Sequence, residues 1–147
     1  MVFLPLQHPK ATARYDEETG IIYVSYTGLL DGETSTAVYN WLGDLTDAIG
    51  IEQLRGEVFD FREVTEFMPD NLMEARRNSR RYNLRNDIKR LPVTMIVKDF
   101  YQEEILRGPM QNVKENQRKT VVWSPEEALS FIQSWHEDRS AEDDSEE

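Results

Sequence analysis

Asp60 is the carboxylate best placed to do chemistry. It follows Val58-Phe59 at the end of a short apolar run, Gly56-Glu57-Val58-Phe59-Asp60-Phe61, that reads as a buried strand. Ligands of open α/β sheets gather at the ends of such strands, and burial there could raise a carboxyl pKa towards that of a general base. No second polar group stands beside it in the sequence, so Asp60 reads more simply as a structural carboxylate bonded to loop amides. The pairs Asp16/Glu17 and Glu103/Glu104 are sequence neighbours and read as solvated surface. The chain has no G-x-S-x-G elbow, no phosphate-cradling glycine loop and no H-E-x-x-H. Cysteine is absent, and the two histidines, His8 and His136, lie at opposite ends. A thiolate nucleophile, a disulfide scaffold and a Cys/His metal site are excluded. No cofactor and no metal are expected, and an enzyme is the less favoured class.

The stronger signal is basic. Arg76, Arg77, Arg80, Arg81, Arg85, Lys89 and Arg90 crowd into 15 residues of a chain whose 28 acids outnumber its 17 Lys and Arg. At about 100° per residue, the five arginines from 76 to 85 sweep about half of a helix circumference. Leu72, Ala75, Ser79 and Tyr82 fall on the opposite arc and are expected to be the buried face. Three readings of the arginines stay open: a solvated surface, a docking face for an acidic partner or for the chain's own tail, and a phosphate site. The net charge of −11 and the lack of stacking aromatics among the arginines argue against nucleic acid.

The elements that must carry these residues follow from periodicity. Residues 11–28 read as a hairpin turning at Asp16–Gly20 and closed by Gly28, its second strand dense in β-branched and aromatic residues. Asp31 is placed to cap a helix whose stripe is Val38, Trp41, Leu42, Leu45 and Ile49, and Gly50 to end it. A loop through Met68 and Pro69 leads to the arginine helix, from about Asp70 to Leu84, where Asp70 reads as a capping carboxylate. Pro92–Val97 is apolar enough for a central parallel strand. A third helix is expected from Tyr101 to Asn116, with Ile105, Leu106, Met110 and Val113 inward and a kink at Gly108-Pro109. Lys119–Trp123 reads as the last strand. Ser124-Pro125-Glu126-Glu127 then starts a final helix by a capping box, carried by Ala128, Leu129, Phe131, Ile132 and Trp135. Trp41, Trp123, Trp135, Phe59, Phe61, Phe100 and Phe131 are expected in the core. The order β-β-α-β-α-β-α-β-α argues for a single α/β domain with a mostly parallel sheet, an N-terminal hairpin and about four flanking helices.

The 147 residues suit one such domain, at 12–136. The apolar leader 1–11 must dock on the body, pair across a homodimer or stay exposed. Glu137–Glu147 carries seven acids against one Arg and is expected to be a disordered tail. Apolar runs fall short of the roughly 20 residues of a membrane helix, and Met1–Leu6 lacks the features of a signal peptide. A cytoplasmic protein is expected.

Four stretches in this order, ARYDEETGIIYVSYTG, GEVFDFREVTEFMPD, VTMIVKDFYQEEILRGPMQNV and VVWSPEEALSFIQSW, together resemble the SpoIIAA-like group of STAS domains. That fold is shared with the lipid-carrying CRAL-TRIO domains. The resemblance covers roughly residues 12–136 and implies a non-enzymatic regulatory or scaffolding module. Anti-sigma antagonists of that group are switched by phosphorylation of a Ser or Thr at the start of the second helix. Phe67-Met68 matches the hydrophobic pair before that site, but Pro69-Asp70-Asn71 follows, and no hydroxyl side chain lies between Glu66 and Asn78. The expected partner surface is Met68, Asp70, Asn71, Arg76, Arg77, Arg80 and Arg81. The alternative is a carrier or sensor of an apolar or anionic small molecule, which would need an internal apolar cavity.

Overall fold

The structure, a computed structural model, describes residues 3–107 and 118–145, of which 141–145 by backbone alone. Its elements run β1 (Leu6–His8), β2 (Ala11–Asp16), β3 (Ile21–Leu30), α1 (Gly32–Ile49), a short 3-10 turn (Ile51–Gln53), β4 (Gly56–Phe67), α2 (Pro69–Arg85), β5 (Val93–Ile96), α3 (Phe100–Arg107), β6 (Lys119–Val122) and α4 (Pro125–Ser145). They build a single α/β domain around a six-stranded sheet whose spatial order, β1-β2-β3-β4-β5-β6, is the order of the sequence. The first three strands pair antiparallel and β3 to β6 pair parallel. The expected kink at Gly108-Pro109, and Met110 and Val113, lie outside the described residues.

Local chemistry explains the turns. Asp16 receives the Glu18 amide and the Thr19 hydroxyl, and Gly20, at φ 75°, closes the hairpin with its amide on Asp16 O. Asp31 caps α1 by accepting from the amide and hydroxyl of Thr34, and Lys10 donates to its other oxygen at 2.8 Å. Those bonds hold the Asp31 carboxyl well below the usual carboxylate range. Gly28 does not end its strand: at φ 74° it sits beside a bulge, and β3 continues to Leu30.

Side-chain alternation sends each strand to two cores. One face gathers Ile22, Val24, Tyr26, Phe59, Phe61 and Val64 under Val38, Trp41, Leu42 and Leu45 of α1, with Tyr82 of α2. The opposite face gathers Ile21, Val58, Ile96 and Val122 under Ala128 and Ile132 of α4. Within the apolar leader, residues 3–8 dock on the body: β1 pairs with β2, Phe3 meets Trp41 edge-on at 5.7 Å, and Trp41 Nε1 donates to Leu4 O.

Four expectations change. β4 runs to Phe67, so Asp60 lies mid-strand, because Phe61, Val64 and Phe67 keep the strand anchored on the α1 face. Phe100 and Trp123 are 78% and 39% exposed; Phe100 opens α3 and Trp123 follows β6, and the two pack edge-on to each other at 5.3 Å. Leu129 is exposed too, one position beyond the buried stripe of α4. The helix α4 extends into the segment expected to lack order and reaches Ser145. Extending a packed helix needs no new nucleus. Gln133 donates to Glu137, and Arg139 stacks 4.2 Å from the Trp135 ring, which carries the helix past its last core contact.

Candidate functional site

Helix α2 starts at Pro69, which suits the first helical position because its missing amide hydrogen is not needed there. Met68 occupies the cap without a side-chain bond, and its amide donates to Leu30 O. Asp70 is therefore not the cap. It lies exposed in the first turn, where a carboxylate favours the helix dipole.

The inward face of α2 is polar. Asn71 is 4% exposed and accepts from the Ser35 hydroxyl; Asn78 donates to Thr36 Oγ1 at 3.1 Å; the Tyr82 hydroxyl meets Thr46 Oγ1 at 2.8 Å. Three side-chain pairs thus stitch α2 to α1. Asn71, expected on a partner surface, is taken up by this seam. Leu72, expected to be buried, turns to solvent because the seam is centred on Asn71, Asn78 and Tyr82.

The outward face gathers the arginines. Met73, Arg76, Arg77, Arg80, Arg81 and Leu84 line a shallow groove of about 310 Å³, with Met73 65% and Leu84 82% exposed. Arg77 pairs with Glu74 at 3.1 Å, and Arg85 with Asp47 of α1 at 3.2 Å. Arg76, Arg80 and Arg81 make no ion pair among the described residues. Met68 is half-buried at the head of the helix, outside this groove. Sequence reasoning missed Met73 and Leu84, since apolar helix residues read first as core. Their phase gave the signal, because 73, 77, 80 and 84 fall on one stripe of a 3.6-residue helix.

Between the starts of α1 and α2 lies a second, larger groove of about 510 Å³, lined by Glu33, Thr36, Asn40, Asp70 and Glu74. Gly32 makes this approach: a Cβ there would stand 2.7 Å from Glu74 Cγ and 3.1 Å from Asp70 Oδ2. Helix α2 is thus acidic at its start and basic along the rest of its outward face.

Asp60 is half-buried and forked onto Arg62, whose Nε and Nη2 donate at 3.0 and 2.8 Å, with the Arg62 amide on the same carboxylate. Burial opposes its charge, but the Arg62 fork and amide outweigh that and hold the carboxyl below its ordinary value. A base needs the reverse. The buried carboxylate is Glu57, 6% exposed on β4 with one oxygen unpartnered. Burial pushes its pKa up to about 7 against the pull of Arg118 and Lys119. It lies in neither groove. Among the described residues no group of three His, Asp or Glu could hold a metal, and no helix is long and apolar enough to cross a membrane.

No family model and no curated protein matches the sequence. Solved structures do. An uncharacterized protein of the DUF3478 family with a SpoIIAA-like fold, from Shewanella loihica PV-4, superposes with a TM-score of 0.59 at 13% identity, over 88% of this chain and 99% of that one. The chain has the SpoIIAA-like fold. An anti-sigma factor antagonist from Mycobacterium paratuberculosis superposes with a TM-score of 0.53 at 16% identity, over 87% of this chain and 99% of that one. The SpoIIAA-like architecture read from the sequence therefore holds, hairpin, parallel sheet and four helices included.

Proposed function

We propose that this protein is a regulatory or scaffolding module that binds an acidic protein partner through the outward face of α2 and the loop before it, and catalyses no reaction. One observation carries the reading: three arginines without an ion pair among the described residues and two exposed apolar side chains share one groove in a protein of net charge −11. An acidic chain would be desirable company for those arginines, and Met73 and Leu84 would supply apolar contact beside the charge. The Mycobacterium protein of the same fold is described as an anti-sigma factor antagonist, which supports a regulatory use of the architecture. Asp70, with no hydroxyl side chain from Glu66 to Asn78, supports binding that a phosphate does not switch at this place. The forked Asp60 supports a non-catalytic reading. Both grooves are open and lined by charged side chains, which favours docking over the enclosed apolar cavity a lipid-like cargo would require. The reading places the protein in the cytoplasm.

Arg80→Glu with Arg81→Glu tests it, because neither arginine has an ion pair to lose among the described residues. Tagged wild-type and variant proteins are used for capture from cell extract at low and high salt, with circular dichroism alongside. The expected result is a folded variant that loses the acidic proteins wild type retains, and a wild type that loses them at high salt. A folded variant that captures the same proteins as well as wild type would remove α2 from the interface.

A further inference from the structure

We infer that the α2 groove also receives the acidic end of α4 from a second copy of the chain, so that copies associate head to tail. This rests on the reading of α2 as a face for acidic segments. Helix α4 packs on the sheet face opposite α1 and α2. It passes the start of the central strand β4 at His136, whose Nε2 donates to Arg55 O at 2.6 Å. Residues 137–140 are exposed, and the helix runs on to Ser145. A copy's own extension therefore leaves the sheet from the face opposite its own α2.

The two surfaces match in charge and length. Residues 137–145 hold five acids and one Arg, a net of −4. The single cation in this stretch, Arg139, stacks on its own Trp135. Across from them stand Arg76, Arg80 and Arg81, without ion pairs among the described residues, beside Arg77. At about 1.5 Å per residue, the extension is about 13 Å long and the stripe from Met73 to Leu84 about 16 Å. Groove and extension belong to different patches, so the contact is heterologous and leaves one of each free for further copies. The contact is small and charged, hence reversible and salt-sensitive. An occupied groove is closed to other acidic partners, so self-association and partner binding compete.

Sedimentation velocity on full-length protein over a concentration series tests this at about 10 mM salt, where screening acts over about 30 Å, and at about 1 M, where it acts over about 3 Å. Wild type should at least double in mass as concentration rises at low salt and be monomeric at high salt. The face variant, Arg80→Glu with Arg81→Glu, and the tail variant, Asp138→Lys with Glu142→Lys, Asp143→Lys and Asp144→Lys, should each stay monomeric alone. Mixed together they should associate, because each supplies the surface the other has reversed. A wild type that stays monomeric at low salt overturns the inference, as does a tail variant that associates like wild type or a mixture that remains monomeric. If wild type is monomeric while the face variant still loses extract capture, the inference fails and the docking reading stands. If the face variant captures normally, the docking reading fails first.

Discussion

On one face of the sheet, α4 sets Ala128 and Ile132 against Ile21, Val58, Ile96 and Val122, and Gly56 lets it come so close that a Cβ there would stand 2.8 Å from Ile132 Cδ1. On the other face, α2 meets α1 through Asn71, Asn78 and Tyr82, each bonded to a hydroxyl. The first contact is non-directional burial, which holds by area. The second is directional and nets only about 0.5–1.5 kcal/mol per hydrogen bond, yet leaving one partner unpaired costs more. A helix held by a few matched polar pairs needs little apolar surface of its own. Its outward face can then be given over to arginines without weakening the core.

Ile132→Ala should have the largest effect, a loss of about 2–5 kcal/mol, as expected for an isoleucine truncated in a packed core. Urea unfolding would measure it. A loss within about 0.5 kcal/mol, like that of a surface change, would mean that burial does not hold α4.

Glu57→Gln should come next, and it should depend on pH. The folded-state pKa of Glu57 is raised from the ordinary 4.5 to about 7, so the folded protein binds more protons than the unfolded chain between those values. Its contribution is fully present below pH 4.5 and is lost as pH rises to about 7. At about 1.4 kcal/mol per unit, the charged form at pH 8 is disfavoured by on the order of 3 kcal/mol. Thermal melts from pH 5 to 8 should show a falling wild type and a flatter, more stable variant at the alkaline end. Parallel curves would place Glu57 in contact with water.

Tyr82→Phe should cost about 1 kcal/mol, because it strips one bond from the α1–α2 seam while Thr46 Oγ1 keeps Leu42 O. Chemical denaturation would read it; no loss at all would mean that the seam adds nothing to stability. Arg80→Glu with Arg81→Glu should have the smallest effect on unfolding, within about 0.5 kcal/mol. A cooperative transition shifted well beyond that would tie these arginines to the fold.

Much of the architecture was legible because most elements state their period and their ends. Asp31 and Gly50 bracket α1 as the sequence implies, and the strand at 93–96 sits in the parallel part of the sheet. Where reading failed, a residue's type pointed one way and its neighbours another. Leu72, Leu129, Phe100 and Trp123 are apolar but lie off the buried stripe, at a helix start or past a strand end. Gly28 looks like a stop and sits beside a bulge, and the acidic stretch 137–145 looks unfoldable in isolation but inherits a helix already formed. The arginine face was visible at once. What the sequence could not tell was which arginines find acids: Glu74 and Asp47 reach Arg77 and Arg85, and that depends on the packing of α1 against α2.

Each strand lies beside the one made just before it, from β1 to β6. During synthesis, β1 to β4 with α1 can therefore pair and bury Trp41, Leu42 and Phe59 before β5 leaves the ribosome. The later strands add to an existing edge and never have to insert between strands already joined. Helix α4, which covers the second core, emerges after all six strands, so until it arrives Val58 and Ile96 stay open to water. Newborn chains of this protein should be most prone to stick together in that interval, and slowing translation just before residue 125 would lengthen it.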